Sequence, residues 1–270
     1  DRKPEWNNFD YYSDTDLIYN PNTQKLECWY RWCSTNSSVE RIPRKTSSDG
    51  VTWSTEETLR ENTLFVSMVS PSVIFEGGIY RIWVKDSASS PIKIKYYESP
   101  NGYNWQFKQD IEGVNDWHFK MERTDIGIEY LGGGTDNLYH AVSQDGITFT
   151  NRKMIMQKGN TGNFDDQILY LACMVKLSGK YYIYYTGRGV TGGAKGIGLS
   201  ISTVNNDITS IRGLTAGSYL QMSKPLTVGN SNKRPTNTAP IGFCFFDRSI
   251  GKPIWKKTNT TWCDANGNTV

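Results

Sequence analysis

The chain has little of what a helical, metal-binding or membrane protein needs. Only 37% of its 270 residues are hydrophobic, and no apolar run reaches the length of a signal peptide or a membrane span. This composition excludes a helical bundle and membrane insertion. The two histidines, His118 and His140, are too few for a histidine-rich zinc site. We therefore expect no metal and no other cofactor.

Cysteine and positive charge are also sparse. The five cysteines form no C-x-x-C pair, so we expect reduced thiols, as in a protein assembled in a cytoplasm. The net charge is only +3, and the lysines and arginines are scattered along the chain. A nucleic-acid binder would carry a clustered basic face, so nucleic acid is not an expected partner. Because the chain begins at Asp1 and not at a methionine, we expect an excerpt of something longer.

Glycine and aromatic residues are plentiful, with 25 glycines and 13% Phe, Trp and Tyr, which favours strands and tight turns packed with rings. The motif Ser-x-Asx-Gly, with an aromatic residue three positions after the glycine, occurs three times at intervals of 52 and 44 residues. Asx-Gly between alternating runs predicts a hairpin tip in which both central residues take positive φ. The three copies are 47–53, 99–105 and 143–149.

Aromatic alternating segments recur in step with these tips, at 26–32, 80–85 and 181–186, and a turn precedes each of them. Each repeating unit therefore contains an inner strand, an aromatic strand, a third strand, a tip and an outer strand. Four strands in 44 to 52 residues are typical of a β-propeller blade. We predict an all-β fold, a β-propeller with four recognisable blades followed by a small C-terminal β module.

The predicted domains are a propeller at 1–228 and a C-terminal assembly or capping module at 229–270. Two or three short strands in the second part hold too little core to be stable alone, so this module is expected to dock on a neighbour or on copies of itself. A fifth blade would come from 1–14 with 214–228, or from upstream of Asp1, and we favour the upstream origin.

Two protein groups resemble this chain. The tip motif, with segments 179–185 and 196–200, resembles the five-bladed propellers of the arabinanase and invertase clan of glycoside hydrolases. Segments 16–21 and 44–50 look like a propeller domain of bacteriophage tail and appendage proteins. The resemblance implies a propeller of the five-bladed type. Segments similar to the terminal module of phage tail and gut-bacterial surface proteins are 234–235, 241–243, 246–247, 252–255 and 262–267.

The hydrolase clan implies three carboxylates at the starts of the inner strands, which serve as a base, a tuning group and an acid. Aligning the inner strands places Asp16 opposite Ser72, with His118 or Lys120 in blade three and Cys173 in blade four. Of these residues only Asp16 is an acid. A structural role for Asp16, as the cap of a strand start, is as well supported as a role in a binding pocket. Nearby acids that could substitute if a strand is shifted are Asp14, Glu122, Asp125, Asp165 and Asp166.

Arginines in the aromatic strands are candidates for binding sugar hydroxyls, because a guanidinium offers planar, paired donors. They are Arg31, Arg81 and Arg188, and we group them with Asp16, Ser72 and His118 as predicted ligand-binding residues.

Three functions are compatible with these features. The first is a phage virion protein, in a tail fibre or appendage, that binds a host cell-surface glycan and assembles with other tail proteins or copies of itself. Such a protein is made in the host cytoplasm and located in the virion. The second is a glycoside hydrolase with Asp16 as base and Asp165 or Asp166 as acid. The third is a structural virion or bacterial surface protein without a ligand.

Overall fold

The computed structural model describes residues 10–34, 40–55, 67–134, 136–190, 195–202, 204–212, 227–234, 244–258, 260–264 and 268–270. These residues form five four-stranded sheets and two short 3₁₀ turns, and this described part contains no α-helix. The all-β prediction is therefore confirmed. The chain divides into two compact units, Asp1–Tyr219 and Leu220–Val270. The predicted boundary after residue 228 falls inside a strand of the second unit.

Unit 1 contains four sheets, which we call blades one to four in chain order. Blade one holds β1 (Asp10–Asn20), β2 (Lys25–Ser34), β3 (Glu40–Arg41) and β4 (Arg44–Ser47). Blade two holds β5 (Met68–Glu76), β6 (Ile79–Asp86), β7 (Lys93–Ser99) and β8 (Gln106–Asp110). Blade three holds β9 (His118–Thr124), β10 (Gly127–Gly133), β11 (Asn137–Ser143) and β12 (Thr150–Gln157). Blade four holds β13 (Ile168–Leu177), β14 (Lys180–Arg188), β15 (Lys195–Ser202) and β16 (Ile211–Arg212).

The strands of blades two, three and four pair in chain order, which is the antiparallel meander predicted from the repeats. Blade one differs, because both β3 and β4 pair with β2. The outer strand predicted to end near residue 61 falls partly on residues outside the described ranges.

The first strands of the four blades lie side by side in the order β1, β5, β9, β13. Three of them break register near their starts, at 13–16, 69–72 and 169–172, whereas β9 pairs without a break. Inside the first two bulges Asp14 and Ser70 take positive φ, at 53° and 52°. A bulge bends a strand and turns a side chain out of the ladder. The bulged ends of the inner strands therefore gather polar side chains at one end of unit 1.

The three hairpin tips are correctly placed, but they are not two-residue turns. Only the glycine has positive φ, with Gly50, Gly102 and Gly146 at 73°, 77° and 79°. The Asx side chain holds the tip instead: Asp49 Oδ1 accepts from the N–H groups of Val51 and Thr52 at 2.8 and 2.7 Å. These backbone hydrogen bonds lower the pKa of Asp49 to about 2. The prediction of two positive φ values is wrong. The Asx side chain accepts the hydrogen bonds that hold the tip, so the tip does not need the backbone hydrogen bond of a two-residue turn.

Aromatic rings stack within blades two and three and belong to one buried cluster that spans both blades. Trp83 stacks on Tyr96 with ring centroids 5.1 Å apart, and Phe119 stacks on Tyr130 at 5.9 Å. All four side chains are buried in one cluster. The indole N–H of Trp83 donates to the carbonyl of Gly146 at 2.7 Å, so a tip of blade three is fixed to the core of blade two. Ring packing thus connects the blades, as the aromatic composition predicts.

Unit 2 contains the fifth sheet. Its strands are β17 (Thr227–Gly229), β18 (Cys244–Asp247), β19 (Lys252–Lys256) and β20 (Trp262–Cys263). β17 pairs parallel to β18, and the remaining pairs are antiparallel. Phe245, Ile254 and Trp262 form its buried cluster. Arg234 donates to Asp247 at 2.6 Å and thereby joins the segment after β17 to β18. Within the described residues of this unit the core is small.

Candidate functional site

A cavity of about 300 Å³ opens where the inner strands of unit 1 are bulged. We call it the inner-strand cavity. Its charged lining residues are Asp14, Asp16 and Lys120, and its aromatic lining residues are Phe119, Tyr184 and Tyr185. Tyr184 is 44% exposed, so part of its side chain is accessible to a ligand. The arrangement combines carboxylates with an accessible ring, which are the groups that bind sugars.

Asp16 is held at both of its oxygens. Lys120 Nζ lies 2.7 Å from Oδ1, and the N–H of Val73 donates to Oδ2 at 2.6 Å. Burial disfavours the charge on Lys120, but the carboxylates of Asp16 and Glu122 outweigh it and raise the pKa of the lysine. The lysine therefore stays charged, and the contacts of Asp16 join blade one to blades two and three.

Asp14 belongs to a second group with Ser70 and His118. The N–H of Ser70 donates to Asp14 Oδ2 at 3.2 Å, and Ser70 Oγ lies 2.8 Å from His118 Nδ1. His118 Nδ1 lies 3.6 Å from Asp14 Oδ1. Within the described part of the chain, His118 Nε2 is buried and has no hydrogen-bond partner. The three side chains meet because each sits at the start of the inner strand of its blade.

Burial lowers the pKa of His118, and the nearby charges of Arg31 and Lys85 lower it further, against the opposing effect of Asp14. The ring of Tyr170 lies 4.1 Å from that of His118, centroid to centroid. Burial and Asp14 raise the pKa of Tyr170, whereas Arg31 lowers it. Arg31 is thus close enough to act on both rings. Because its pKa is lowered, His118 is neutral, and the positive charge of Arg31 lies near it.

Several predicted site residues lie elsewhere. Ser72 is fully buried and accepts from the N–H of Met121 at 2.8 Å, so it joins β5 to β9. Arg81 lies 3.6 Å from Glu76 on the surface of blade two. Arg188 is exposed at the end of β14. None of these three described residues is among those that line the inner-strand cavity.

Asp165 and Asp166 have local partners. Asp165 accepts from the hydroxyl of Tyr185 at 2.9 Å, and Tyr185 stands between it and the cavity. Asp166 accepts from the N–H groups of Val190 and Gly162 at 2.6 and 2.7 Å, which lower its pKa. These contacts give Asp166 the role of closing a loop. The geometry offers no support for either residue as the catalytic acid.

Sequence reasoning underestimated three residues of the site. The sequence makes Asp14 only a substitute and Lys120 only an alternative to His118, and it gives Tyr184 no role in the site. The alignment of inner strands ignored bulges, and a bulge brings Asp14 to the cavity beside Asp16. In the described residues no group of three or more His, Cys, Asp or Glu side chains could hold a metal ion. No helix of that part is long and apolar enough to cross a membrane.

Comparison with known proteins identifies the fold. No family model matches the chain, and no curated protein sequence matches it. Among solved structures, it is similar to a putative glycosidase from Bacteroides thetaiotaomicron, with 13% identity, 98% of this chain and 86% of that chain covered, and a TM-score of 0.62. It is also similar to the catalytic domain of the GH62 α-L-arabinofuranosidase from Coprinopsis cinerea, with 13% identity, 99% and 89% covered, and a TM-score of 0.59.

A third similar structure is an N-acetylgalactosamine deacetylase from F. plautii in complex with blood group B trisaccharide. The identity is 13% and the TM-score 0.57, and the match covers 68% of this chain and 64% of that chain. None of these three similar structures is a bacteriophage protein. At such identities the similarity establishes the fold alone. The chain therefore has the β-propeller fold of glycoside hydrolase-like proteins.

Proposed function

We propose that unit 1 binds a carbohydrate in the inner-strand cavity and hydrolyses a glycosidic bond there. The proposal rests on the observation that Asp14 and Asp16 line one cavity together with the exposed ring of Tyr184. Glycoside hydrolysis uses two carboxyl groups, and an aromatic face binds the C–H side of a sugar ring. The fold shared with glycosidases supports this assignment.

The two carboxylates suit different roles. Asp16 is fixed in place, because Lys120 and the N–H of Val73 contact its two oxygens. A fixed negative charge would stabilise the positive charge that develops on the sugar ring in the transition state. Asp14 Oδ1 makes no hydrogen bond to any described residue, so Asp14 is the group that we assign to proton transfer with water or the glycosidic oxygen.

A second candidate is glycan binding without cleavage. One specific observation favours it: Lys120 lies 2.7 Å from Asp16 and neutralises the carboxylate that the hydrolase alternative needs. In this case the ligand would be a glycan of a host cell surface. The chain would then belong to a virion appendage, with tail proteins or copies of itself as partners, as the sequence resemblance predicts.

The two candidates differ in whether sugar is released. We would incubate the full chain with purified bacterial surface polysaccharides and measure new reducing ends, alongside binding to the same polysaccharides. Asp14→Asn should abolish release and retain binding, because it removes a proton donor and acceptor but leaves a polar side chain of similar size. Loss of proton transfer typically costs about 10²- to 10⁴-fold in rate.

Asp165→Asn serves as the matched control, since Asp165 lies behind Tyr185, and it should leave release unchanged. Binding without release by the wild type would replace hydrolysis with the attachment function. Absence of both binding and release across the panel would reject a carbohydrate site in this cavity.

A further inference from the structure

Two aromatic side chains at the bulged ends of the inner strands are exposed. Trp117, which directly precedes β9, is 39% exposed, and Tyr170, in the bulge of β13, is 44% exposed. Other large rings of unit 1, such as Trp83 and Tyr130, are fully buried. A single exposed ring is ordinary on a protein surface, but these two lie next to the same histidine. We call Trp117 and Tyr170 the aromatic platform.

The aromatic platform lies beside Asp14. The ring centroid of Tyr170 is 4.1 Å from that of His118, and the centroid of Trp117 is 6.4 Å from it, edge to face. His118 Nδ1 is in turn 3.6 Å from Asp14 Oδ1. Ser70, whose hydroxyl donates to the carbonyl of Trp117 at 3.3 Å, lines the inner-strand cavity. The platform therefore borders the proposed hydrolytic site.

The backbone that leads to Trp117 is held by a buried lysine. Lys85 is 2% exposed, and its Nζ donates to the carbonyls of Asn115 and Asp116 at 2.7 and 3.0 Å. The same Nζ donates to Asn115 Oδ1 at 2.6 Å. An ammonium group has three donors, and all three are used on this one loop. The ring of Trp117 is thus exposed on a backbone that is fixed from below.

Gly134 lies directly against Trp117. It has φ of 110°, and an added Cβ would lie only 2.9 Å from the Cβ of Trp117. A side chain at this position would therefore displace the ring. The N–H of Gly134 donates to the carbonyl of Leu169 at 2.9 Å, which joins the contact to blade four beside Tyr170. A binding surface that is already in place loses less conformational entropy when a ligand arrives.

The chemistry of the aromatic platform suits a sugar. The C–H face of a sugar ring packs on an aromatic ring, and Trp and Tyr each add a polar group at the edge. Within the described part of the chain, the indole N–H of Trp117 and the hydroxyl of Tyr170 have no hydrogen-bond partner. Both groups are therefore available to sugar hydroxyls.

We infer that the aromatic platform binds the sugar residue next to the one in the inner-strand cavity, so that unit 1 recognises an oligosaccharide and not a single sugar. This inference rests on the proposed function, because it takes the cavity as the place of the first sugar. Trp117 and Tyr170 pack on the second sugar. The glycosidic bond between the two sugars then lies at Asp14, the group assigned to proton transfer.

The probes are short oligosaccharides made by partial acid hydrolysis of the bacterial polysaccharide that the full chain binds most tightly, and the monosaccharides from its complete hydrolysis. Calorimetric titration uses the full chain with Asp14→Asn, which prevents cleavage. This chain should bind the oligosaccharides more tightly than the monosaccharides. Adding Trp117→Ala should weaken oligosaccharide binding about tenfold, because a stacked ring is lost, and leave monosaccharide binding unchanged.

Two further variants serve as controls. Trp117→Phe keeps an aromatic ring and should retain most of the affinity, which separates stacking from damage to the fold. Phe107→Ala removes a ring that is 47% exposed on β8, the outer strand of blade two, and should leave binding unchanged.

The inference and the proposed function fail in different ways. Equal oligosaccharide affinity with Trp117 and with Trp117→Ala would overturn the platform, and release of reducing ends that depends on Asp14 would still support hydrolysis. Equal affinity for oligosaccharides and monosaccharides, or the same loss in Trp117→Phe as in Trp117→Ala, would also overturn the platform. If the full chain binds no polysaccharide, the proposed function and the platform are both wrong.

Discussion

At the scale of single residues, the most consequential contact in unit 1 is the pair between Lys120 and Asp16. Its partners are 104 positions apart in the sequence, on the inner strands of blades three and one. Both residues line the inner-strand cavity, and Lys120 places a cation against the carboxylate of Asp16. Its effects on stability and on the site can be tested separately.

We predict that Lys120→Met lowers the free energy of unfolding by about 3 kcal/mol, because it leaves the carboxylate of Asp16 buried without its cation. Asp16→Asn in the same chain should restore much of the loss, since the amide needs no counter-charge. Urea denaturation of the two single variants and the double variant gives the coupling energy. A coupling energy below about 0.5 kcal/mol would contradict a buried ion pair and would indicate an exposed one.

The sequence predicted Asp16 and His118 as site residues, but it did not predict the side chains and backbone groups that contact them. Each residue type at the start of an inner strand is visible in the sequence, so the acid and the histidine could be named. The partner of each lies on another blade, and the bulge that brings Asp14 beside Asp16 depends on pairing with β2. Contacts between residues of different blades depend on how the blades pack, and local sequence patterns do not encode that packing.

At the scale of single elements, the hairpin tips show how a short motif sets several contacts at once. Their position was predictable, because Ser, Asx and Gly act within four residues of one another. Their geometry was not, because the Asx side chain replaces part of the backbone pairing. The glycine has a second function that sequence alone does not show. At Gly146 a Cβ atom would lie 2.7 Å from the ring of Trp83 and 2.9 Å from Ile128.

We predict that Gly146→Ala destabilises the protein by about 2 to 5 kcal/mol. Positive φ costs an alanine about 1 to 2 kcal/mol, and crowding of a packed core adds about 1 to 3 kcal/mol. Gly78→Ala is the matched control, since Gly78 has φ of 80° against 79° at Gly146 and no atom within 4 Å of its added Cβ. Gly78→Ala should lose only about 1 to 2 kcal/mol of unfolding free energy, which is what positive φ costs. If thermal or urea unfolding shows the same loss of stability for both variants, the added Cβ at Gly146 does not crowd the ring of Trp83.

At the scale of the whole molecule, the chain contains two units with very different cores. Unit 1 distributes its buried aromatic and aliphatic side chains over three clusters between blades. The repeat of the tips predicted this part well, because each blade is local in sequence and is followed directly by the next. The second unit carries no such repeat. Its first strand pairs parallel to the next one, so its pairing could not be predicted as a hairpin.

The last prediction concerns the stability of unit 2 alone. Among its described residues, the buried cluster consists of Phe245, Ile254 and Trp262, with Val270 packed against it. We expect that one small sheet with the few large buried side chains seen in the described part of this unit does not offset the conformational entropy lost on folding. A peptide comprising 220–270 should therefore be unfolded in isolation, with narrow amide dispersion in its NMR spectrum and no cooperative thermal transition. A dispersed spectrum with a cooperative transition would show that this unit is a self-sufficient domain. The unfolded outcome would mean that the module depends on the rest of the chain or on a partner for its fold, which is the behaviour expected of an assembly element.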